Sequence, residues 1–288
     1  MSLEVLQVGA DAAWRAAPRT GFRRFGVPPG GPFDLESWAR ACSLSGTSSA
    51  IELGPFGGRF VAIESCSVVV VGASRSIRVG GRESPSGRLF VPRGDQLEIG
   101  PPDQGARSYL AGVGAGNRDE SPSLEPRFVH RGERIEALIA PESHLARSLP
   151  GGPIRLVAGP QASLFDLDQF AHEEFHVSPI ADRAGIRLAE KIEALEPYGE
   201  RLSEPMVFGA IQVTVGGEPI VIGPDGPTIG GYPVAAVVVE ADRDRLGQLK
   251  PGDTIRFEFV SLEAARRLRA DYRARLRAAL ASTAHRLH

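Results

Sequence analysis

Short runs rich in Val, Ile and Leu, each cut off by glycine or proline, recur along almost the whole chain. Runs of this length with β-branched residues read as strands, and the glycines and prolines between them read as turns. The first half predicts strands near Leu3 to Val8, Ile51 to Leu53, Ser67 to Val71, Arg88 to Val91, Gln96 to Ile99 and Ser108 to Val113. The second half repeats the habit at Ile154 to Ala158, Phe175 to Ser178, Ala210 to Val215, Pro219 to Ile222, Val234 to Val239 and Thr254 to Val260. Helical periodicity is confined to three places. Asp34 to Leu44 follows an acidic cap, Ser163 to Glu174 suits a short helix, and SLEAARRLRADYRARLRAAL from Ser261 carries an apolar stripe at helical spacing opposite Arg266, Arg269, Arg273 and Arg277.

The expected fold is therefore mainly β: residues 1–150 form a β subdomain with one helix near 34–44, residues 151–260 a second β subdomain, and residues 261–288 a terminal helix. The polar, proline-rich stretch from about Arg118 to Pro153 marks the junction. A hydrophobic share of 42% supports packed cores. The formal charge of -2 produces no field that would draw nucleic acid or an anionic membrane, so small or neutral partners are favoured. Two cysteines, Cys42 and Cys66, build neither a disulfide framework nor a thiolate metal site. With no basic leader and no long apolar run, a cytoplasmic protein without a membrane segment is expected.

Two motifs tempt and are set aside. His172-Glu173-Glu174-Phe175-His176 spells H-E-x-x-H, which binds zinc only when both imidazoles share one helical face. Pro179 disfavours helix at the residue before it, so His176 is expected to open a strand, and no third ligand stands at a recognised spacing. Gly112 to Gly116 lacks the third glycine of a nucleotide loop and reads as a tight turn. Neither a Walker sequence nor a G-x-S-x-G elbow is present. No metal is expected, no cofactor is assigned to the chain itself, and any ATP belongs to a partner.

Three clusters between apolar strands carry more chemistry. Gly26 to Asp34 (GVPPGGPFD) is a rigid turn ending in a carboxylate, with Gly30, Gly31 and Asp34 as candidate binding positions. Asp182, Arg183, Gly185 and Arg187 put two guanidinium forks and a carboxylate around a glycine turn, an arrangement that suits a carboxylate ligand or a neighbouring side chain equally. In Pro224 to Pro233 (PDGPTIGGYP), Gly230 and Gly231 allow close backbone approach, and Thr228 and Tyr232 offer hydroxyls.

The order and flanks of these clusters resemble a known family. Ser203 to Phe257, SEPMVFGAIQVTVGGEPIVIGPDGPTIGGYPVAAVVVEADRDRLGQLKPGDTIRF, is similar to the end of the family that holds the C subunit of 5-oxoprolinase, allophanate hydrolase subunit 2 and KipA-like proteins. That family's pattern runs SE-x-x-x-x-GAIQ-x-P-x-x-G-x-PI, D-x-x-TTGGYP and QL-x-PGD. Upstream, SPIADRAGIRL resembles SP-x-SDR-MG-x-RL, and GFRRFGVPPGGPFD resembles GY-x-x-x-GVPPSGAMD. The resemblance implies a cyclophilin-like β-barrel in the second half and a companion subunit of the KipI or allophanate hydrolase subunit 1 type. It also implies either ATP-dependent opening of 5-oxo-L-proline to L-glutamate or, as in urea amidolyase, carboxyl transfer from biotin. Asp182, Arg183, Arg187, Thr228, Gly230, Gly231 and Tyr232 fall on motif positions; Asp182, Arg183, Arg187 and Tyr232 are the expected catalytic set. The chain departs from the family pattern where Q-D-x-G-R is replaced by Arg15-Ala16-Ala17-Pro18-Arg19, where the serine of GVPPSG is Gly30, and where AGGID and SRST are missing after Val113. Those losses favour a third expectation, a non-catalytic KipA-like regulatory binding protein.

Overall fold

The computed structural model describes residues 2–112, 127–137, 143–144, 151–198 and 201–284. It divides into two compact units, one of residues 1–17, 34–148 and 275–288, the other of residues 18–33 and 149–274. The Gly112 to Gly116 turn lies mostly outside the described residues, as does most of the stretch from Arg118 to Pro153.

The first unit is built on an antiparallel sheet in which Arg134–Glu136, Ser2–Val8, Gly58–Ala62, Gln96–Gly112, Ala50–Leu53, Ala13–Arg15 and Arg127–Phe128 lie side by side. The strand Cys66–Val79 pairs with Gln96–Gly112 and with Gly87–Val91. Its run Val68 to Val71 shows why four consecutive valines are needed. Val68 and Val70 enter a core with Leu3, Phe60, Leu97 and Leu110, while Val69 and Val71 face the other way onto the helix Leu35–Ser45. A sheet covered on both faces loses polar alternation. Each fully buried valine or leucine there contributes roughly 1.5–3 kcal/mol.

The helix Leu35–Ser45 starts where Asp34 Oδ1 accepts from Ser37 N (2.9 Å) and stops at Gly46 in the left-handed region. Around its start sits a buried polar chain: Tyr109 Oη accepts from Asp34 N (2.9 Å) and donates to Glu52 Oε2 (2.7 Å), and Arg15 and Arg107 approach Glu52 at 3.7 Å. Burial, reinforced by Glu52 and Asp34, pushes the Tyr109 hydroxyl well above its ordinary pKa, so it acts as a fixed donor.

The second unit has a sheet of order Gly185–Arg187, Pro219–Ile222, Ala210–Val213, Val234–Val238, Ile154–Ala158 and Phe257–Phe259, antiparallel except for the last pair. One face buries Ile186, Val221, Ile211, Ala236, Val238 and Leu156 with Phe165, Phe170, Phe175 and Phe257. The chain is mainly β with a curled sheet and one long C-terminal helix, Leu262–Ala284. Ser261 Oγ accepts from Ala264 N at 3.1 Å, as its capping role requires. Along the predicted apolar stripe Tyr272 is buried and donates to Asp244 at 2.9 Å, but Leu262 and Leu280 are exposed. The stripe is thus narrower than its sequence.

The segment predicted as one short helix from Ser163 to Glu174 is a 3-10 turn, Ala162–Leu164, followed by a helix at Leu167–His172 capped by Asp166. The helix stops at His172 and His176 lies on the strand Phe175–His176, as expected from the sequence. His172 Nδ1 bonds the Asp168 carbonyl oxygen and His176 Nδ1 bonds Glu190, so the two imidazoles serve separate local contacts. Among the described residues no cluster could hold a metal ion and no helix is long and apolar enough to cross a membrane.

Candidate functional site

Most of the candidate residues gather in the second unit, on loops beside one edge of its sheet. The GVPPGG turn begins after the 3-10 turn Arg23–Phe25. Gly30 (φ 59°) and Gly31 (φ 77°) occupy the left-handed region, where L residues are strained. Gly30 N donates to Pro224 O (3.0 Å) and Arg19 N to Pro29 O (2.8 Å). A Cβ on Gly31 would stand 2.9 Å from Pro18 Cγ, and one on Gly30 would stand 2.8 Å from Arg19 Nη2. The Arg19 guanidinium therefore lies beside the place where a serine side chain would start.

Arg183 joins this turn to the next. Its Nε donates to Asp225 Oδ2 (2.7 Å), and its Nη2 donates to Asp225 Oδ1 (3.0 Å) and to the Gly31 carbonyl oxygen (2.6 Å). The guanidinium also lies 5.7 Å from the Phe33 ring centroid. The side chain is 14% exposed and that of Asp225 32%. A bidentate, charge-assisted pair in that setting is rigid as well as attractive. Asp182 works locally: its Oδ1 accepts from Ala184 N (2.8 Å) and Gly185 N (2.9 Å) and shapes the turn that aims Arg183. Gly223 packs so closely that a Cβ would sit 2.0 Å from the Arg183 carbonyl oxygen.

The Thr228 to Tyr232 turn is pinned from below. Gln212 Nε2 donates to Tyr232 O (3.0 Å), and Gln161 Oε1 accepts from Val234 N (2.8 Å) while its Nε2 donates to Glu204 Oε2 (3.1 Å). Glu204 and Pro205 pair with Gly230 and Ile229, and Met206 N donates to Thr228 O (2.8 Å). Gly230 has no room for a side chain, because its Cβ would meet Gln212 Nε2 at 2.7 Å. Gly231 is open, with nothing nearer than 3.5 Å to such a Cβ. Tyr232 is 46% exposed, and its hydroxyl has no hydrogen-bond partner among the described residues. Backbone groups at Gly231 and a free phenol thus border open space.

Arg187 ends the edge strand, on the sheet face opposite the buried Ile186, in register with Ile220. That face also carries Ile222 and Gln212. The Arg187 side chain has no ion-pair or hydrogen-bond partner among the described residues, so its donors are available. Asp34 belongs to the other unit, where Ser37 N engages one of its oxygens and Ser37 Oγ the other.

Asp225, Gln212 and Gln161 do as much for this constellation as the residues singled out from sequence. Gln212 stands in the GAIQ string and Asp225 in the PDG turn, so both lie within motifs that the sequence displays. What sequence spacing does not show is that Asp225 is the carboxylate that Arg183 grips from 42 positions away. A shallow cleft in the first unit, lined by Leu6 to Ala10 and Phe128 to Arg131, contains none of these residues.

Residues 25–120 and 123–259 match the family described as carboxyltransferase domain, subdomain A and B. The chain is 30% identical to the C subunit of 5-oxoprolinase from Escherichia coli over 93% of its own length and 94% of that protein's. It is 28% identical to urea amidolyase of Lachancea kluyveri over 93% of its length, but covers only 17% of that much longer enzyme. The solved urea amidolyase of Kluyveromyces lactis superposes with a TM-score of 0.83 at 28% identity, over 96% of this chain and 20% of that one. With matched residues spanning most of its length, this chain belongs to the carboxyltransferase subdomain A and B family.

Proposed function

We propose that this chain is one component of a multi-subunit, ATP-dependent 5-oxoprolinase-type enzyme that converts 5-oxo-L-proline to L-glutamate with a companion subunit of the KipI or allophanate hydrolase subunit 1 type. The observation that carries the reading is similarity to the C subunit of 5-oxoprolinase across nearly the full length of both proteins. Opening a lactam adds water across an unreactive amide, so the carbonyl oxygen must be stabilised as charge builds on it. The free donors of Arg187, the Tyr232 hydroxyl and the backbone beside Gly231 suit that role, and the Arg183–Asp225 pair holds the turns in place. Arg183 and Asp182 are then positioning residues, while Arg187 and Tyr232 are the catalytic candidates. Thr228, Gly185, Gly30 and Gly31 shape the rim. ATP, bound by the companion, supplies the phosphorylating power.

The test is glutamate release from 5-oxoproline and ATP by the chain co-purified with its companion subunits. Arg187→Ala and Tyr232→Phe are expected to lower kcat at least tenfold; no turnover from an intact wild-type complex refutes the reading. Carboxyl transfer of the urea amidolyase type is the second reading, favoured by the TM-score of 0.83. The same hydroxyl and guanidinium donors suit the ureido oxygen of a carrier biotin, which activates the carboxyl group. Urea-dependent turnover of a biotin-loaded assembly, without glutamate release, would select it. A tight companion complex inactive in both assays would select the regulatory role.

A further inference from the structure

Several buried or half-buried arginines of the second unit are paired with carboxylates. Arg155 and Arg245 share Asp242, Arg183 grips Asp225, and Arg269 and Arg273 hold Glu240. Arg243 breaks the habit. Among the described residues its side chain makes no hydrogen bond or ion pair, and its Nε is enclosed without a partner. The guanidinium lies 5.3 Å from the Phe208 ring centroid, and Gly209 (φ 87°) lets it lie there, since a Cβ at that position would stand 3.1 Å from Arg243 Nε. An aromatic face steadies a cation but leaves the planar donor fork unused.

A second cation acts on it. Arg23 donates through Nη2 to the carbonyl oxygens of Met206 and Pro227 (3.3 Å to the latter), beside the Val207-Phe208 segment. Burial lowers the pKa of both guanidinium groups; at Arg243 the charge of Glu240 opposes that effect, while Arg269 and, less strongly, Arg23 add to it. The carboxylate acting on Arg243 is Glu240, already held by Arg269 (2.9 Å) and Arg273 (2.7 Å). A guanidinium largely removed from water with no ion pair of its own costs stability, and a small anion offsets that cost.

We propose that Arg243, with Arg23 beside it, forms a subsite for a small oxyanion of the carboxylate or phosphate class over the ring of Phe208. Arg243 supplies the bidentate fork, Phe208 the platform, and Arg23 the supporting charge. The inference concerns anion binding and does not depend on which reaction the assembly performs.

The test is titration calorimetry of the full chain with sodium phosphate and, separately, sodium acetate, at ionic strength held constant with chloride. Wild type is expected to bind at least one of the two saturably. Arg243→Met, an uncharged side chain without the donor fork, is expected to weaken that binding at least tenfold while melting at or above the wild-type temperature. Arg266→Ala, an exposed arginine on the C-terminal helix, serves as control and is expected to bind as wild type. The phosphate and acetate arms identify the preferred chemistry. No saturable binding of either ion by the wild type overturns the proposal, and so does equal affinity in Arg243→Met. Neither failure alters the glutamate-release test.

Discussion

Replacing Arg183 by methionine removes, among others, the two hydrogen bonds it donates to Asp225 and the one to the Gly31 carbonyl oxygen. Hydrogen bonds to charged groups contribute about 1.5–3 kcal/mol each, less where water can replace them. Asp225 keeps 32% of its side-chain surface and can rehydrate, so the loss falls below that of a fully buried pair. We expect destabilisation of about 2–3 kcal/mol, a melting shift of roughly 4–10 °C for a chain of this size. Asp225→Leu should cost a similar amount, because it takes the carboxylate from a guanidinium only 14% exposed, which keeps its bond to the Gly31 carbonyl oxygen. The double variant should cost less than the sum by about 1–2 kcal/mol, since neither partner is then left unpaired. Urea denaturation followed by circular dichroism of all four proteins measures that coupling. Additive single-variant costs would refute the claim that this pair locks the turns together.

Other outcomes follow from the same geometry. Gly223→Ala places a Cβ 2.0 Å from the Arg183 carbonyl oxygen, so either backbone must move; we expect a loss of about 2–4 kcal/mol by thermal melting. Gln212→Ala removes the donor that holds Tyr232 O and should raise amide exchange across 228–232 and lower turnover with little global unfolding; unchanged exchange would refute its positioning role. Burial pushes the thiols of Cys42 and Cys66 up to about 12 and about 11 from an ordinary 9.0. Both should therefore resist alkylation at pH 8 until the chain unfolds. Because their folded-state pKa values are raised, the stability they contribute is fully present below about pH 9 and lost as pH rises toward about 11–12, where the unfolded chain releases the protons first. A pH-stability curve checks the sign.

The parts of the fold legible in sequence rest on neighbours in sequence. Asp34 caps a helix three residues on and Ser261 does the same; each effect acts within one turn of chain. The valine run at 68–71 reads as strand because β-branched side chains suit a pleated surface. The same local reading divided the stretch from Gln96 to Val113 into two strands, Gln96 to Ile99 and Ser108 to Val113, with Pro101-Pro102 between them. In the structure Gln96–Gly112 is one bent strand, its register with Cys66–Val79 shifting between Gly72 and Ile77. Prolines stop a ladder only where their missing N–H is needed, and a bulge removes the need.

The candidate site divides in the same way. Glycine and proline content marked the GVPPGG, DRAGIR and TIGGYP turns as special, because backbone conformation is a property of a few consecutive residues. Their assembly was not legible. Arg183 meets Gly31 across 152 positions and Asp225 across 42, and Gln212 reaches Tyr232 across 20. Residues 18–33 fold with the second unit although they precede most of the first. Sequence by itself determined the helix caps, many turns and the most apolar strands of this protein, since short-range sterics and hydrogen bonding decide those. Only the tertiary structure decided which arginine is locked to a carboxylate and which, like Arg187 and Arg243, keeps its donors free, because a charge acquires its partner only when distant segments fold against each other.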